Sequence, residues 1–280
     1  MTRTAAFRYP RVLSIAGSDS GGGAGIQADL KTISALGCFG MTAITALTAQ
    51  NTLGVRAIHA VPLQMLTDQI DAVVEDIGVD AVKIGMLHSA DTVRAVAGAL
   101  KRHGLAKVVL DPVMIATSGA KLIDDAAIDV LVRELFPLAA VVTPNLDEAA
   151  LLVGHPLQGE ADMEAAARQL LERGASAVLV KGGHLAGDTV SDLLVARGAQ
   201  PHWMRAPRIA SGNTHGTGCT LSSAIASHLA LGADLGEAVE RARAFVRGAL
   251  EAGAAVRTGA GSGPLNHGWA PQPMHLKPLP

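Results

Sequence analysis

The chain has 280 residues, of which 49% are hydrophobic and 17% charged, and its formal net charge is −2 at pH 7. This composition is typical of a folded protein with a sizeable core and argues against disorder. The near-neutral charge, the 2% of aromatic residues and the absence of an apolar run near ~18 residues argue against a nucleic-acid or membrane partner. The two cysteines, Cys38 and Cys219, exclude a disulfide framework and a zinc cluster and suit a reducing cytosol, so we expect a cytoplasmic protein.

Short runs rich in β-branched residues alternate with longer runs of helical periodicity along most of the chain. The predicted strands are 11–16, 42–47, 81–86, 107–110, 140–143 and 177–181, followed by a hairpin-like pair at 193–196 and 201–209. The predicted helices are 26–36, 63–77, 92–102 with Ser89 as N-cap, 127–135, 162–173, 219–231 and 236–252. This order predicts an α/β fold with a mostly parallel sheet covered by helices on both faces.

No segment has the composition of an interdomain linker, so we expect residues 1–259 to form a single domain. Residues 260–280 are rich in proline, and we expect this tail to be loosely ordered.

Polar clusters follow several of the predicted strands, at the edge where open α/β sheets bind ligands. These clusters are 17–25, 48–51, 111–114, 143–148 and 181–184. Each cluster by itself is compatible with ordinary turn chemistry. Their convergence on one edge predicts a ligand site there.

The segment 213–220, Asn-Thr-His-Gly-Thr-Gly-Cys-Thr, is a glycine-containing turn that leads into a helix. Helix N-termini direct unpaired N–H groups and a positive dipole end outward, so this turn predicts an anion site. The same field favours a thiolate at Cys219, and we expect the helix to lower its pKa. The pattern fits a small-molecule kinase, whereas the alternative is a capped helix with a buried cysteine.

Common catalytic motifs are missing from the sequence. The glycine loop carries Ile26 where a dinucleotide-binding fingerprint has its last glycine, and Asp19 stands where a hydrolase elbow has its serine. A Walker-type phosphate loop and a His-Glu-x-x-His zinc motif are also absent from the sequence.

Six segments together resemble one known family. They are AGSDSGGGAGIQADLK (16–31), TALTAQNT (45–52), KIGML (83–87), TPNLDEA (143–149), KGGH (181–184) and NTHGTGCT (213–220). In this order they are similar to the bacterial hydroxymethylpyrimidine/phosphomethylpyrimidine kinases of thiamine biosynthesis, which belong to the ribokinase-like superfamily. The likeness runs from about Arg11 to about Ala252 and leaves the tail outside.

The resemblance implies a three-layer α/β/α sandwich with a mostly parallel central sheet. It also implies ATP-dependent phosphorylation of 4-amino-5-hydroxymethyl-2-methylpyrimidine, and then of its monophosphate to the pyrophosphate. The implied partners are ATP and this small substrate, with Mg²⁺ as cofactor and a homodimer as the assembly.

The resemblance assigns the phosphoryl site to the turn. The backbone N–H groups of Gly216, Thr217, Gly218 and Cys219 would form an anion hole, and Cys219 would accept the proton of the substrate hydroxymethyl group. Lys181 would contact the ATP phosphates, unless it is a strand-end lysine whose stem only packs.

The resemblance places the ATP and metal ligands beside the turn. Asn145 and Thr217 would contact the nucleotide, and Asn145 and Glu148 would hold Mg²⁺ through water. Asn145 and Glu148 also fit an N-cap box of a short helix. Asp111 either assists the metal or forms a turn before Pro112.

Gln50, Asp29 and Ala24 belong to the substrate end by the same resemblance. The amide of Gln50 would pair with the aminopyrimidine, because it offers both a donor and an acceptor. Asp29 is equally compatible with stabilising its own helix, and His215 either polarises the thiol or phosphate or only packs in the turn.

Two other functions remain compatible with these residues. A pyridoxine or pyridoxal kinase uses the same scaffold and turn, and a catalytically silent protein would bind the pyrimidine without turnover. The intact set Cys219, Lys181, Asn145 and Glu148 argues against a silent protein.

Overall fold

A computed structural model describes residues 6–115 and 122–279. Its strands are β1 (Phe7–Arg8), β2 (Arg11–Ala16), β3 (Phe39–Ile44), β4 (Ala46–Asn51), β5 (Gly54–Ala60), β6 (Ala81–Ile84), β7 (Val108–Leu110), β8 (Val141–Val142), β9 (Ala177–Val180), β10 (Thr189–Ala196), β11 (His202–Pro207) and β12 (Lys277–Pro278). Its helices are α1 (Gly25–Ala35), α2 (Leu63–Asp76), α3 (Ala90–His103), α4 (Asp125–Leu135), α5 (Leu146–Val153), α6 (Glu160–Glu172), α7 (Thr217–Leu231) and α8 (Leu235–Gly253), and a short 3₁₀ helix, Phe136–Leu138, follows α4.

The largest sheet of the described residues has eight strands in the order β11-β10-β9-β8-β7-β6-β2-β3. The strands from β9 to β3 run parallel, whereas β10 pairs antiparallel with both β9 and β11. The mostly parallel sheet and the hairpin-like pair at its end are therefore confirmed.

Helices cover both faces of this sheet, which gives three layers. In β7, the side chains of Val108 and Leu110 join one core cluster and that of Val109 joins the other, because successive side chains of a strand point to opposite faces. The first cluster packs against α2 to α6, and the second against α1, α7 and α8. Burial on both faces explains why this strand is apolar without alternation.

The ends of α3 follow its sequence signals. The side chain of Ser89 accepts a hydrogen bond from the Thr92 N–H, and Gly104 closes the helix with a left-handed φ of 63°. The prediction of both caps is confirmed.

The prediction of one strand over 42–47 is wrong, because the chain leaves the sheet at Thr45. The N–H of Thr45 donates to the Ala16 carbonyl, and its hydroxyl donates to the Met86 carbonyl. These bonds end β3 and start β4, which forms an antiparallel hairpin with β5. The pairing register of the hairpin shifts between Ala49 and Gln50, beyond the carboxyl edge of the sheet.

The expectation of a loosely ordered tail is wrong for residues 260–279. Leu265 is buried in the second core cluster, and the ring of Trp269 packs against that of Phe245 with centroids 6.0 Å apart. Further along, the N–H of Gln272 donates to the Ala35 carbonyl at 2.7 Å, and β12 pairs with β1. Proline removes donors from this segment, but its remaining N–H groups find acceptors on the domain.

Among the described residues, no helix is both long enough and apolar enough to cross a membrane.

Candidate active site

A cavity of about 630 Å³ lies along the carboxyl ends of the parallel strands. Every polar cluster that was predicted to reach this edge contributes to its lining: Ser18 and Ala24, Thr48 and Gln50, Asp111, Asn145 and Glu148, and Lys181. The predicted convergence is confirmed, since the strand ends bring together residues from widely separated parts of the chain.

The N-terminus of α7 opens into this cavity. Gly216 is the N-cap with a left-handed φ of 83°, and a Cβ on it would lie 1.9 Å from the Gly23 carbonyl oxygen. Only glycine therefore allows the turn to pack against the first loop. The Thr217 N–H and hydroxyl both donate to the Thr214 carbonyl. Gly218 and Cys219 follow in the first turn of α7 and line the cavity, and N–H groups of a first turn have no acceptor within the helix.

Cys219 lines the cavity, but its thiol is less acidic than we expected. Burial raises the pKa of Cys219 to about 11, and the carboxylates of Asp29 and Asp111 add to the rise, although the ammonium of Lys83 opposes it. The expectation of a lowered pKa is wrong for this state of the site. Loss of hydration outweighs the helix dipole here.

Lys181 is held between two carboxylates beside the turn. Its Nζ lies 2.8 Å from Asp111 Oδ1 and 3.8 Å from Glu148 Oε2. A Cβ on Gly218 would lie 3.1 Å from the same Nζ, so the ammonium sits against the first turn of α7. Burial lowers the pKa of Lys181, but the two carboxylates raise it more, and the residue stays charged. Lys181 is an ion-paired group and not a lysine that extends into solvent.

Asn145 and Glu148 form a capping box at the start of α5. The Asn145 side chain accepts from the Glu148 N–H at 2.9 Å, and the Glu148 carboxylate accepts from the Asn145 N–H at 2.8 Å. The alternative of a helix cap is confirmed, while one face of each side chain still lines the cavity. Burial raises the pKa of Glu148 to about 7, Lys181 opposes this shift, and Asp111 adds to it.

The carboxylates of Asp111 and Glu148 fit a hard divalent cation. Both are almost fully buried at the cavity wall, and among the described residues one ammonium, Lys181, bridges the two. Two buried carboxylates offer the oxygen donors that suit Mg²⁺, and a divalent cation held there would favour the ionised form of Glu148.

Gln50 and Ala24 also line the cavity, and their expected contact with the substrate stays a prediction. The amide of Gln50 lies 3.3 Å from the ring of His215, and His215 lies 2.8 Å from the Asp19 carboxylate. The Ala24 N–H donates to the same carboxylate at 2.8 Å.

Asp29 does not itself line this cavity, and its expected place at the substrate end stays a prediction. Its carboxylate is fully buried, accepts from the hydroxyls of Ser14 and Ser223, and forms an ion pair at 2.8 Å with Lys83, which does line the cavity. The alternative role in the first turn of α1 is wrong, because α1 has no acidic residue in its first turn. The partner of Asp29, Lys83, lies within the apolar strand β6. A lysine in such a strand indicates from the sequence that a buried acidic partner is present, because a buried charge has to be paired.

The apolar part of the cavity lining was not predicted from the sequence. Apolar side chains of β10 and α8, among them Val190, Val246 and Leu250, form this part beside the Arg243–Asp192 ion pair. Asp192 in turn accepts from the Gly182 N–H at 2.9 Å and so holds the loop that follows Lys181.

The phosphomethylpyrimidine kinase family model matches residues 19–266. The thiamine biosynthesis bifunctional protein ThiED of Geobacter sulfurreducens is 53% identical over 95% of this chain, and this chain spans 54% of that protein's length. The hydroxymethylpyrimidine/phosphomethylpyrimidine kinase of Rhizobium meliloti is 52% identical over 91% of this chain and 96% of its own length.

Solved structures of two kinases share the fold. Phosphomethylpyrimidine kinase from Clostridium difficile is 43% identical, with a TM-score of 0.75 over 85% of this chain and 97% of that chain. Pyridoxal kinase from Staphylococcus aureus, solved with AMP-PCP and pyridoxal, is 32% identical, with a TM-score of 0.87 over 97% of this chain and 98% of that chain. The ribokinase-like fold is confirmed, and the chain belongs to the phosphomethylpyrimidine kinase family.

Proposed function

We propose that this chain transfers the γ-phosphoryl group of ATP to 4-amino-5-hydroxymethyl-2-methylpyrimidine, and then phosphorylates the monophosphate to the pyrophosphate. The observation that carries the proposal is one cavity lined by Gln50, by the N-terminus of α7 with Lys181 against Gly218, and by apolar side chains of β10 and α8. This lining suits a small polar ring beside Gln50, a nucleotide against the apolar side chains and phosphoryl transfer beside the turn.

The turn would stabilise the phosphoryl group as charge develops on its oxygens. The N–H groups of Gly218 and Cys219 would donate to these oxygens, with Gly216 and Thr217 shaping the turn, and Lys181 would neutralise charge from the opposite side. The ammonium already lies beside Gly218.

Cys219 would accept the hydroxyl proton of the pyrimidine alcohol. A thiol with a raised pKa is seldom ionised at pH 7, but its thiolate is a correspondingly strong base. The role therefore depends on the buried ammonium of Lys83, which favours the thiolate.

Glu148 and Asp111 would hold Mg²⁺, with the Asn145 N–H orienting the Glu148 carboxylate by donating to it. Bound Mg²⁺ would screen the charge of the ATP phosphates. Lys181 would then exchange its carboxylate partners for phosphate oxygens.

A pyridoxal kinase is the second candidate function. The TM-score with the Staphylococcus aureus pyridoxal kinase, 0.87, exceeds that with the Clostridium difficile phosphomethylpyrimidine kinase, 0.75. The sequence identity runs the other way, at 32% against 43%. We favour the pyrimidine as the substrate, because sequence identity compares the side chains, which contact a substrate. The TM-score compares only the course of the backbone.

A substrate panel separates the two functions. Purified protein with MgATP is given the aminopyrimidine alcohol, its monophosphate, pyridoxine or pyridoxal, and ADP release is measured. We expect the two pyrimidines to have the highest kcat/KM, and the Lys181→Met variant to lose turnover with every acceptor. A higher kcat/KM for pyridoxal or pyridoxine would overturn the assignment.

We also infer a homodimer and a cytoplasmic location. Leu47 and Leu53 of the β4–β5 hairpin are 49% and 66% exposed, which supports a second copy packing there. Sedimentation equilibrium of the chain and of a Leu53→Ser variant tests the dimer. The location still depends on cysteine usage alone.

A further inference from the structure

A chain of polar contacts connects the first glycine loop to Gln50. The Asp19 carboxylate accepts from the N–H groups of Gly21, Gly23 and Ala24 at 2.8 to 3.1 Å. Its Oδ2 also lies 2.8 Å from Nε2 of His215, and that nitrogen lies 3.3 Å from the Gln50 amide. Asp19 and His215 are 3% and 12% exposed, so water competes little for these bonds.

The contact with Asp19 fixes the proton on His215. Burial raises the pKa of Asp19, but the hydrogen bonds from His215 and from the Ala24 and Gly21 N–H groups lower it by more than that. The pKa of Asp19 is therefore below its ordinary value, and the carboxylate is ionised. An ionised carboxylate only accepts hydrogen bonds. Nε2 of His215 therefore carries its single proton, which the Asp19 carboxylate accepts at 2.8 Å. The same N–H reaches the Gln50 amide at 3.3 Å only as the weaker arm of a shared bond, and a protonated Nε2 cannot accept a hydrogen bond from that amide.

Thr48 fixes the other end of the amide. Its hydroxyl has one proton, which it donates to the Ser18 carbonyl at 2.7 Å. As placed, Gln50 Oε1 lies 3.3 Å from the Thr48 oxygen and Gln50 Nε2 lies 3.3 Å from His215 Nε2. Because the Thr48 proton is donated to Ser18, the Thr48 oxygen can only accept from Gln50. Proton counting thus requires the amide of Gln50 to be rotated by 180° from this placement, with its nitrogen towards Thr48 and its oxygen towards His215.

We infer that His215, held by Asp19, is a positioning residue that sets the amide orientation of Gln50 for the substrate. The inference rests on the proposed function, because the ligand is the aminopyrimidine. With its oxygen towards His215, Gln50 keeps one N–H that can donate to a ring nitrogen of the aminopyrimidine. It also keeps one oxygen lone pair that can accept from the adjacent amino group of the same ligand. In the reverse orientation, the Gln50 oxygen would face the Thr48 oxygen, which is also an acceptor, and the Gln50 nitrogen would face the protonated Nε2 of His215, which is also a donor.

Calorimetric binding of the pyrimidine alcohol in the absence of ATP tests this role. His215→Phe removes the Nε2 donor and should weaken binding by about 3- to 10-fold, the range for one hydrogen bond. His215→Gln carries an amide N–H near the same position and should stay within about 2-fold of the parent chain. Affinity for a non-hydrolysable ATP analogue should be unchanged in both variants.

A double-mutant cycle with Gln50→Ala identifies the route of the effect. If His215 acts through Gln50, His215→Phe causes no further loss of pyrimidine affinity once Gln50 is alanine. A long-range ¹H–¹⁵N spectrum of the parent chain should show the proton of His215 on Nε2, which needs no variant to fold.

Three results would overturn the inference alone: full additivity in the cycle, equal losses for His215→Gln and His215→Phe, or a proton on Nδ1 only. A parent chain that does not bind the pyrimidine alcohol, yet binds the ATP analogue, would overturn the proposed function and with it this ligand.

Discussion

The thiol of Cys219 is subject to two opposing effects. The helix N-terminus favours the thiolate by an amount on the order of 1 kcal/mol. Burial beneath the turn and the nearby carboxylates of Asp29 and Asp111 favour the thiol more strongly, and the pKa rises to about 11. The thiol of Cys219 is therefore protonated at neutral pH, and among the nearby charges Lys83 favours its thiolate.

The pH dependence of thiol alkylation tests this conclusion. Because the pKa of Cys219 is about 11, the rate of its reaction with iodoacetamide should still rise about tenfold per pH unit between pH 8 and 10. Mass spectrometry of the modified peptide gives the rate. The Cys219→Ala variant controls for Cys38, whose burial raises its pKa to about 12. A plateau below pH 9 would show that the thiol is acidic.

Removal of the thiol should affect the two proposed phosphorylations differently. The pyrimidine alcohol must lose a proton, whereas its monophosphate is already ionised near neutral pH, since phosphate has a second pKa of about 6. We expect Cys219→Ala to reduce kcat/KM for the alcohol by about 10²- to 10⁴-fold, and for the monophosphate much less. The backbone N–H groups of the turn remain. Equal losses with both acceptors would mean that Cys219 positions the turn.

At the scale of elements, two glycines within helices have opposite surroundings. Gly98 lies in α3 with no atom within 4 Å of the place where a Cβ would be. Gly248 lies in α8, and a Cβ there would be 2.3 Å from the ring of Trp269. Helix propensity alone would favour alanine at position 248, but the ring of Trp269 leaves no room for its Cβ.

Alanine at these positions should change stability in opposite directions. Gly98→Ala should stabilise the protein by about 0.5–1 kcal/mol through helix propensity. Gly248→Ala should destabilise it by about 1–3 kcal/mol through overpacking against Trp269. Urea unfolding gives both values.

Trp269→Ala supplies the matched control for this pair. In that background the ring is gone, and Gly248→Ala should become neutral or stabilising. If Gly248→Ala still lowered the free energy of unfolding in the Trp269→Ala background, contact with the tail would not be the cause.

At the scale of the whole molecule, the second core cluster is bordered by two buried histidines. Burial lowers the pKa of both His228 and His267 to about 4, and Arg241 adds to the shift at His228 and Lys31 at His267. His228 Nδ1 has no hydrogen-bond partner among the described residues, and His267 Nε2 lies 3.0 Å from the Thr220 hydroxyl.

These histidines should make the fold sensitive to mild acid. The unfolded chain takes up protons at its imidazoles near pH 6.5, whereas the folded chain resists protonation until about pH 4. Protons therefore favour the unfolded chain, and the free energy of unfolding should fall as the pH decreases from about 6.5 to about 4. The loss should be on the order of 1–3 kcal/mol per histidine.

Thermal unfolding between pH 7.5 and 5 measures this effect as a slope of Tm against pH. The double variant His228→Leu, His267→Gln should have a flatter slope, whatever its stability at pH 7.5. The exposed His59→Gln variant should keep the parent slope. An unchanged slope in the double variant would place the acid sensitivity elsewhere.

Local patterns determined the order of the parallel strands and helices and the set of loops at the site. A parallel strand buried on both faces is a continuous apolar run, and its carboxyl end must lie at the edge it shares with its neighbours. For this reason Asp111, Asn145 and Lys181 could be assigned to one cavity from the sequence.

Only the tertiary structure decided the partners and environments of the side chains. Asp29 pairs with Lys83, the tail packs against α8, and Asp19 is connected through His215 to Gln50. Each of these contacts joins distant parts of the chain, and no local periodicity records it. The pKa of Cys219 belongs to the same class, because it depends on how much water the surrounding elements exclude, and that is set only when they pack.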